Sequence, residues 1–399
     1  MNWKQLYKLL VCLILVTPLL TGCWDRLEIE ERGTILGLAI DPIVKNVQNT
    51  TGPFAKSDFA GYKLTAQVAI PGRIPLGPGG PSGGGGPTAK PVLIMSKTGK
   101  TIDDAVNNLQ QELANRVFFG HLRIIVVNQT LAKSGMQDVQ DFFRRNAEIR
   151  RLAWLIISKG SAGPIIEATP QLSRVPTLYL VSIMDNAVRM GKIPNVFLGN
   201  FWSTHSSNAR DPVLPFISLY KKERIEIEGL AVFKGDRMVS NLNQLGTAAY
   251  MELTGEHKAG YGFAVPVPGD PKHSATIKGS NRKTKIKLRK NNGKPFFDVY
   301  MRAEANLEEK TGKTINNVRM MKQIGKDSTQ LLLKNQEKTI KMLKECRSDV
   351  IGFGEYVRGE YPEYWRKFHS IEDWDREFAN LDIRLHLDVE LRRTGMSSR

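Results

Sequence analysis

The chain has 399 residues, 41% hydrophobic and 24% charged, with 57 Lys and Arg against 40 Asp and Glu for a formal charge of +17. Its length exceeds the roughly 250–300 residues that one core can serve, and its apolar content excludes wholesale disorder. Three cysteines exclude a disulfide scaffold and an all-cysteine zinc site, and the six scattered histidines offer no pair at helical ligand spacing.

At the N-terminus, Lys4 and Lys8 precede an uncharged apolar run from Leu9 to Leu20. About a dozen residues are too few to span a bilayer, which takes about 20, but they suit the h-region of a signal peptide. Leu20-Thr21-Gly22-Cys23 follows and resembles a bacterial lipobox. The resemblance implies that residues 1–22 are a lipoprotein signal peptide, and that Cys23 becomes the first residue with a diacylglycerol on its sulfur and an acyl group on its nitrogen. Cys12 would leave with the signal, so only Cys346 would stay unmodified and no internal disulfide could form. No other apolar run approaches membrane-spanning length. The chain is therefore expected to be anchored to a membrane without crossing it.

Thr34 to Ile40 is apolar and β-branched and reads as a strand stopped by Asp41-Pro42. Tyr62 to Ile70 alternates with the period of a half-buried strand. The tract 77–87, GPGGPSGGGGP, lacks the Gly-Lys-Ser/Thr of a phosphate loop and reads as a flexible Gly/Pro loop. Thr101 caps a helix whose apolar stripe runs from Ile102 through Val106, Leu109 and Leu113 to Val117. A strand at 123–127, a helix at 136–145, a strand at 152–158 and a helix at 178–190 make residues 23–200 an N-terminal α/β domain.

Residues 201–219 and 255–280 read as irregular, proline-bearing stretches. With a strand at 225–233, they make 201–270 a middle domain or connection. Residues 271–399 form a C-terminal α+β domain. It holds strands at 283–289 and 296–307, a long amphipathic helix at 314–344, and a last strand with Leu381, Ile383, Leu385, Leu387 and Val389 on one face. The predicted fold class is therefore mixed α/β and α+β, multi-domain, with mixed or antiparallel sheets flanked by helices.

Several segments together resemble the Ger(x)C family, the lipoprotein C subunits of spore germinant receptors. They are Gly22-Cys23-Trp24-Asp25 followed by Arg32 to Asp41; Phe119 to Val127, running on through Phe142 to Asn146 and Ile149-Arg150; Ile227 to Lys234; and Ser348 to Gly354 with Pro362, Trp365, Trp374 and Leu391 to Gly395. They keep the family's order over nearly the whole chain, whereas the 77–87 tract departs from its pattern. The resemblance implies a non-enzymatic subunit on the outer face of the spore's inner membrane. It would sit there with two integral membrane partner subunits, of A and B type, and take part in the response to small nutrients. The family supplies no catalytic residue and no cofactor; only the lipidated cysteine carries over, onto Cys23.

No nucleophile elbow, metalloprotease helix or dinucleotide fingerprint appears. His121 reads as a structural histidine at a turn, Glu226 and Glu228 as a solvated strand face, and Trp365, Phe368 and Trp374 as core anchors. Cys346 reads as a core or helix-end residue.

The basic tract 272–294 contains no acid and carries Lys283, Lys285, Lys287 and Arg289 at alternate positions. It is either a solvated edge strand, whose lysines discourage edge pairing, or a contact with an anionic membrane surface or a partner. Nucleic acid is not an expected partner, because export places the chain on the wrong side of the membrane and the tract has no aromatics. The alternative function is a solute-binding lipoprotein of a transporter, which requires two similar lobes around a cleft. A membrane-tethered enzyme ranks behind both.

Overall fold

The computed structural model describes residues 2–8, 10–11, 31–45, 59–70, 90–168, 175–221, 224–256, 262–311 and 318–393. Cys23, the 77–87 tract and the first turn of the helix expected at 314–344 lie outside these residues. Two sheets organise the chain. The first holds β1 (Arg32–Val44), β2 (Phe59–Ala69), β3 (Val92–Gly99), β4 (Arg116–Phe118), β5 (Ile124–Asn128), β6 (Trp154–Ser158), β7 (Val213–Tyr220), β8 (Arg224–Lys234) and β9 (Arg237–Leu242). Their order is β3-β2-β1-β5-β6-β7-β8-β9, with β4 beside the start of β1. β1, β5, β6 and β7 run parallel, while the flanking pairs β2–β3 and β8–β9 join antiparallel.

Helices cover both faces of this sheet, as parallel strands require. Ile125, Val127, Leu155 and Ile157 face one core with α1 (Ile102–Gln110), α2 (Gln129–Ser134), α3 (Gln137–Arg145) and α6 (Leu198–His205). Ile124, Val126, Trp154 and Ile156 face the other, with α4 (Gly163–Glu167), α5 (Pro176–Arg189) and α7 (Gln244–Thr254). The second sheet has the order β10-β11-β12-β13, with β10 (Gly262–Val267), β11 (Asp270–Asn291), β12 (Lys294–Lys310) and β13 (Asp382–Arg393). β13 lies parallel to β12, and the other pairs are antiparallel. Between β12 and β13 the chain forms α8 (Val318–Cys346), α9 (Phe353–Glu360), α10 (Pro362–Trp365) and α11 (Ile371–Asn380). Phe297, Val299, Leu343, Phe353 and Trp374 of this part belong to the same core as Trp154 and Met251, so the two parts share one interior.

Several expectations are revised. β1 does not stop at Asp41-Pro42 but runs on, with Pro42 opposite Tyr62. The proline is tolerated because β5 pairs only as far as Ile40, so the side of β1 that would need a proline N–H is free. β2 is buried on both faces, Thr65 and Gln67 included, because it lies inside a covered sheet. The helix from Thr101 ends at Gln110 and not at Val117. The Gln110 amide donates to the carbonyls of Leu113 and Asn115 (3.2 and 3.0 Å) and accepts from the Val117 N–H (2.7 Å), replacing the next helical turn. Residues 201–219 are not irregular: they hold most of α6 and all of β7 but its last residue, and β7 to β9 extend the first sheet. Within 255–280 the described residues form β10 and the first half of β11, and Pro266 is accommodated because β10 is an edge strand.

α8 seals the outer side of β13. A Cβ on Gly325 would lie 2.8 Å from the Val389 carbonyl oxygen, and Thr329 accepts from the Val389 N–H at 3.2 Å. Its buried stripe is more polar than the expected one: Ser328, Gln336 and Thr339 are buried beside Ile324, Ile340 and Leu343, whereas Val318 is exposed.

Candidate functional site

Past Lys278, β11 has no β10 partner, so the predicted basic residues lie on a sheet edge. Lys283, Lys285, Lys287 and Arg289 share one face, opposite Arg302, Tyr300, Asp298 and Phe296 of β12. Those in turn face Asp388, His386, Arg384 and Asp382 of β13. The tract itself contains no acid, but folding lays acids beside it. Arg289 stands 3.6 Å from Asp298, which also holds His386 at 3.0 Å, and the Lys287 ammonium lies 5.0 Å from the centre of the Tyr300 ring. The hydrogen bond from His386 and the neighbouring Arg289 and Arg384 hold the Asp298 carboxyl below the usual range. Lys283 and Lys285 make no ion pair among the described residues. With Tyr300, His386 and Asp388 they border an open groove of about 1000 Å³. The face therefore presents mixed charge with aromatic surface between.

A second cluster lies at the joint between the two parts. The loop before β7 supplies Arg210 and Asp211, and the loop after α8 supplies Ser348 and Asp349. The Asp349 carboxylate is fully buried and accepts from the N–H groups of Gly352, Phe353 and Gly354 at 2.8, 3.1 and 2.8 Å, and from the Trp374 indole at 3.1 Å. The Arg210 guanidinium donates to the Val350 carbonyl and the Tyr250 hydroxyl (2.9 and 3.0 Å), and Ser348 donates to the Phe233 carbonyl at 2.6 Å. Asp211 accepts from the N–H groups of Gly235 and Asp349. Its pKa is pushed up to about 7, first by burial and then by the nearby charge of Asp375. Asp375 on α11 is raised to about 6 by burial, against the pull of Lys234 at 3.1 Å. Asp349 is also raised by burial, despite its four donors. Three carboxyls thus share one buried joint with a single lysine.

The other singled-out residues play structural parts. Trp374 is fully buried, its ring tilted against Trp365 and edge-to-face with Phe368. Glu228 pairs with Lys159 at 3.1 Å. His121 is exposed, its ring edge-on to Phe118. Cys346 closes α8. Among the described residues, no group of three or more His, Cys, Asp or Glu could hold a metal ion, and no helix is long and apolar enough to cross a membrane. The joint escaped the sequence reading although Ser348 to Gly354 was visible as a segment; the signal was an Asp three residues before a Gly-Phe-Gly run.

Nine strands in one sheet and four in the other do not form two similar lobes, so the fold defines a mixed-sheet, two-part scaffold unlike a solute-binding lipoprotein. Its shape matches a solved structure, the GerBC protein, with a TM-score of 0.56 and 18% identity, covering 89% of this chain and 98% of that one. Residues 25–219 match the family described as spore germination protein N-terminal domain, and residues 228–395 the one described as spore germination B3/GerAC like, C-terminal. Similar proteins of Bacillus subtilis (strain 168) include the putative spore germination protein YfkR, 30% identical with 98% of each chain covered. Spore germination protein KC is 24% identical, covering 97% of this chain and 96% of its own. The chain belongs to the Ger(x)C family of spore germination proteins.

Proposed function

We propose that this chain is a lipid-anchored subunit of a spore nutrient-germinant receptor. It acts on the outer face of the spore's inner membrane by assembling with integral membrane subunits of A and B type, and it performs no catalysis. The observation that carries the reading is the family match over residues 25–219 and 228–395, beginning two residues after the lipobox cysteine Cys23. In this reading acylation of Cys23 supplies the attachment. Two or more acyl chains anchor stably where a single one does not.

The edge of β11 is the proposed contact for a partner subunit. Its rows of cation, acid and aromatic side chains suit a protein surface of complementary pattern better than a uniformly anionic one. The deciding experiment is an affinity purification of the tagged chain from detergent-solubilised spore membranes. Polytopic germination subunits should co-purify, and their absence would remove the receptor-subunit reading.

A further inference from the structure

The parallel strands β1, β5 and β6 all begin at the same end of the first sheet, and that end collects arginines. Arg32 opens β1 opposite Arg116 of β4, its guanidinium 4.4 Å from the centre of the Phe118 ring. Arg123 sits just before β5: its N–H donates to the Leu36 carbonyl and its own carbonyl accepts from the Trp154 N–H, both at 2.9 Å. The turn into β6 adds Arg150, Arg151 and Leu152. Arg116, Arg123, Arg150 and Arg151 are all exposed, and none of them makes an ion pair among the described residues.

Three acids of the neighbouring segments have partners of their own. Glu148 accepts from the Phe119 N–H at 3.0 Å, Asp141 holds Arg145 at 2.8 Å, and Glu112 holds Lys97. Amid these cations Leu152 is 73% exposed, a large apolar side chain with nothing over it.

We infer that this end of the sheet is a docking surface for an anionic phospholipid bilayer, with the arginines on phosphate groups and Leu152 in the headgroup region. Guanidinium groups suit phosphate because their paired donors match its oxygens. The position along the chain agrees. Arg32 lies only nine positions after Cys23, a reach of about 30 Å even when fully extended, so an acyl group on Cys23 holds the start of β1, not its far end, next to the membrane. β11 is the weaker candidate for lipid, because Asp298, Asp382 and Asp388 lie across its face, whereas at the arginine end Arg116, Arg123, Arg150 and Arg151 outnumber the one exposed acid beside Arg32, Glu31. The orientation rests on the lipoprotein reading, but the surface itself does not.

The test separates the two. The chain from residue 23 onward, with Cys23→Ala so that no lipid contributes, is mixed at low salt with vesicles of phosphatidylcholine containing phosphatidylglycerol, and with pure phosphatidylcholine vesicles. Binding should require the anionic lipid and fall steeply with added salt. Each near-surface cation contributes about a fivefold gain, so Arg123→Gln with Arg150→Gln and Arg151→Gln should weaken binding about a hundredfold. The matching triple change at Lys283, Lys285 and Lys287 should leave binding within about twofold.

A fluorophore on Leu152→Cys, in a Cys346→Ser background, should be quenched by lipids carrying nitroxide near the headgroup; one on Lys285→Cys should not. Thermal unfolding checks that every variant is folded. Equal binding of wild type and the arginine triple variant, absence of binding altogether, or quenching at 285 in place of 152 would each overturn the assignment. Acyl labelling at Cys23 in cells reports separately on the anchor.

Discussion

Asp211 and Asp349 are 138 positions apart in sequence and bond to each other twice. The Asp211 N–H donates to the Asp349 carbonyl at 3.0 Å, and the Asp349 N–H donates to the Asp211 carboxylate at 3.0 Å. One bond uses a backbone carbonyl and the other a side chain, so the pair fixes both loops and ties the first sheet to the helices of the second part. Ser348 and Arg210 add bonds on either side, which makes this joint the polar centre of the shared core.

The Asp349 carboxylate satisfies four buried donors at once. Asp349→Ala leaves the Gly352, Phe353 and Gly354 N–H groups and the Trp374 indole unpaired in a dry site. A loss of about 3–5 kcal/mol is expected. Urea denaturation would show it as a lower midpoint, and a change below about 1 kcal/mol would mean that the joint is not cooperative with the fold.

The joint also sets a pH dependence. An aspartate titrates near about 4 when unfolded, but Asp211 holds its proton to about 7 in the fold, because burial disfavours its charge. The folded state therefore binds more protons than the unfolded state between these values. Stability from this group is fully present below about pH 4 and is lost as pH rises through about 7. Asp375, raised to about 6, adds a contribution of the same sign over a narrower window. The denaturation midpoint of the wild type should fall between pH 5 and pH 7, and Asp211→Asn should flatten that slope whatever it does to the absolute stability. Parallel slopes for the two proteins would rule out Asp211 as the source.

Gly325 tests the fit of α8 on β13. Alanine favours a helix by about 1 kcal/mol over glycine, so an open site would be stabilised. Here the new Cβ would lie 2.8 Å from the Val389 carbonyl oxygen, so the helix must move off the strand. A net destabilisation of about 1–3 kcal/mol is expected in thermal unfolding. A raised midpoint would show that the contact relaxes freely.

Cys23→Ala should abolish acylation and release the chain from membranes at physiological salt, since diffuse charge is screened within about 8–10 Å. Metabolic labelling with a fatty acid, followed by fractionation, measures both effects. Retained label, or full membrane retention in 1 M salt, would count against the anchor at this residue.

Changing Lys283, Lys285, Lys287 and Arg289 to Gln should reduce recovery of partner subunits with the tagged chain, with each change altering stability by no more than about 0.5 kcal/mol. The one ion pair lost, Arg289 with Asp298, is half exposed and contributes little. Unchanged recovery would leave β11 a solvated edge.

Local patterns were legible in the amino-acid sequence wherever neighbours along the chain decide them. The Thr101 cap, with its hydroxyl accepting from the Asp104 N–H at 3.1 Å, the strands of the parallel core and the alternation of β13 all follow from short-range chemistry. So did membership of the family, because its segments are spread along the whole chain. A further short-range signal was present but unused: Asn292-Gly293, with φ of 49° and 76°, is the turn that joins β11 to β12 as one hairpin.

Only the tertiary structure decided where strands sit within a sheet, and position changes what a residue means. Gln67 reads as the exposed half of an alternating strand, yet helices cover both faces of β2, so it is buried and bonded to the Ile166 carbonyl. Pro266 reads as a breaker but lies on an edge that needs no N–H. The tract 272–294 reads as purely basic, but pairing with β12 and β13 sets Asp298 beside Arg289 and Asp382 beyond it. The arginines at the start of β1, β5 and β6 are far apart in sequence, and only the parallel register brings them to one end of the sheet. Charge and burial depend on neighbours in space, and the chain alone specifies only neighbours in sequence.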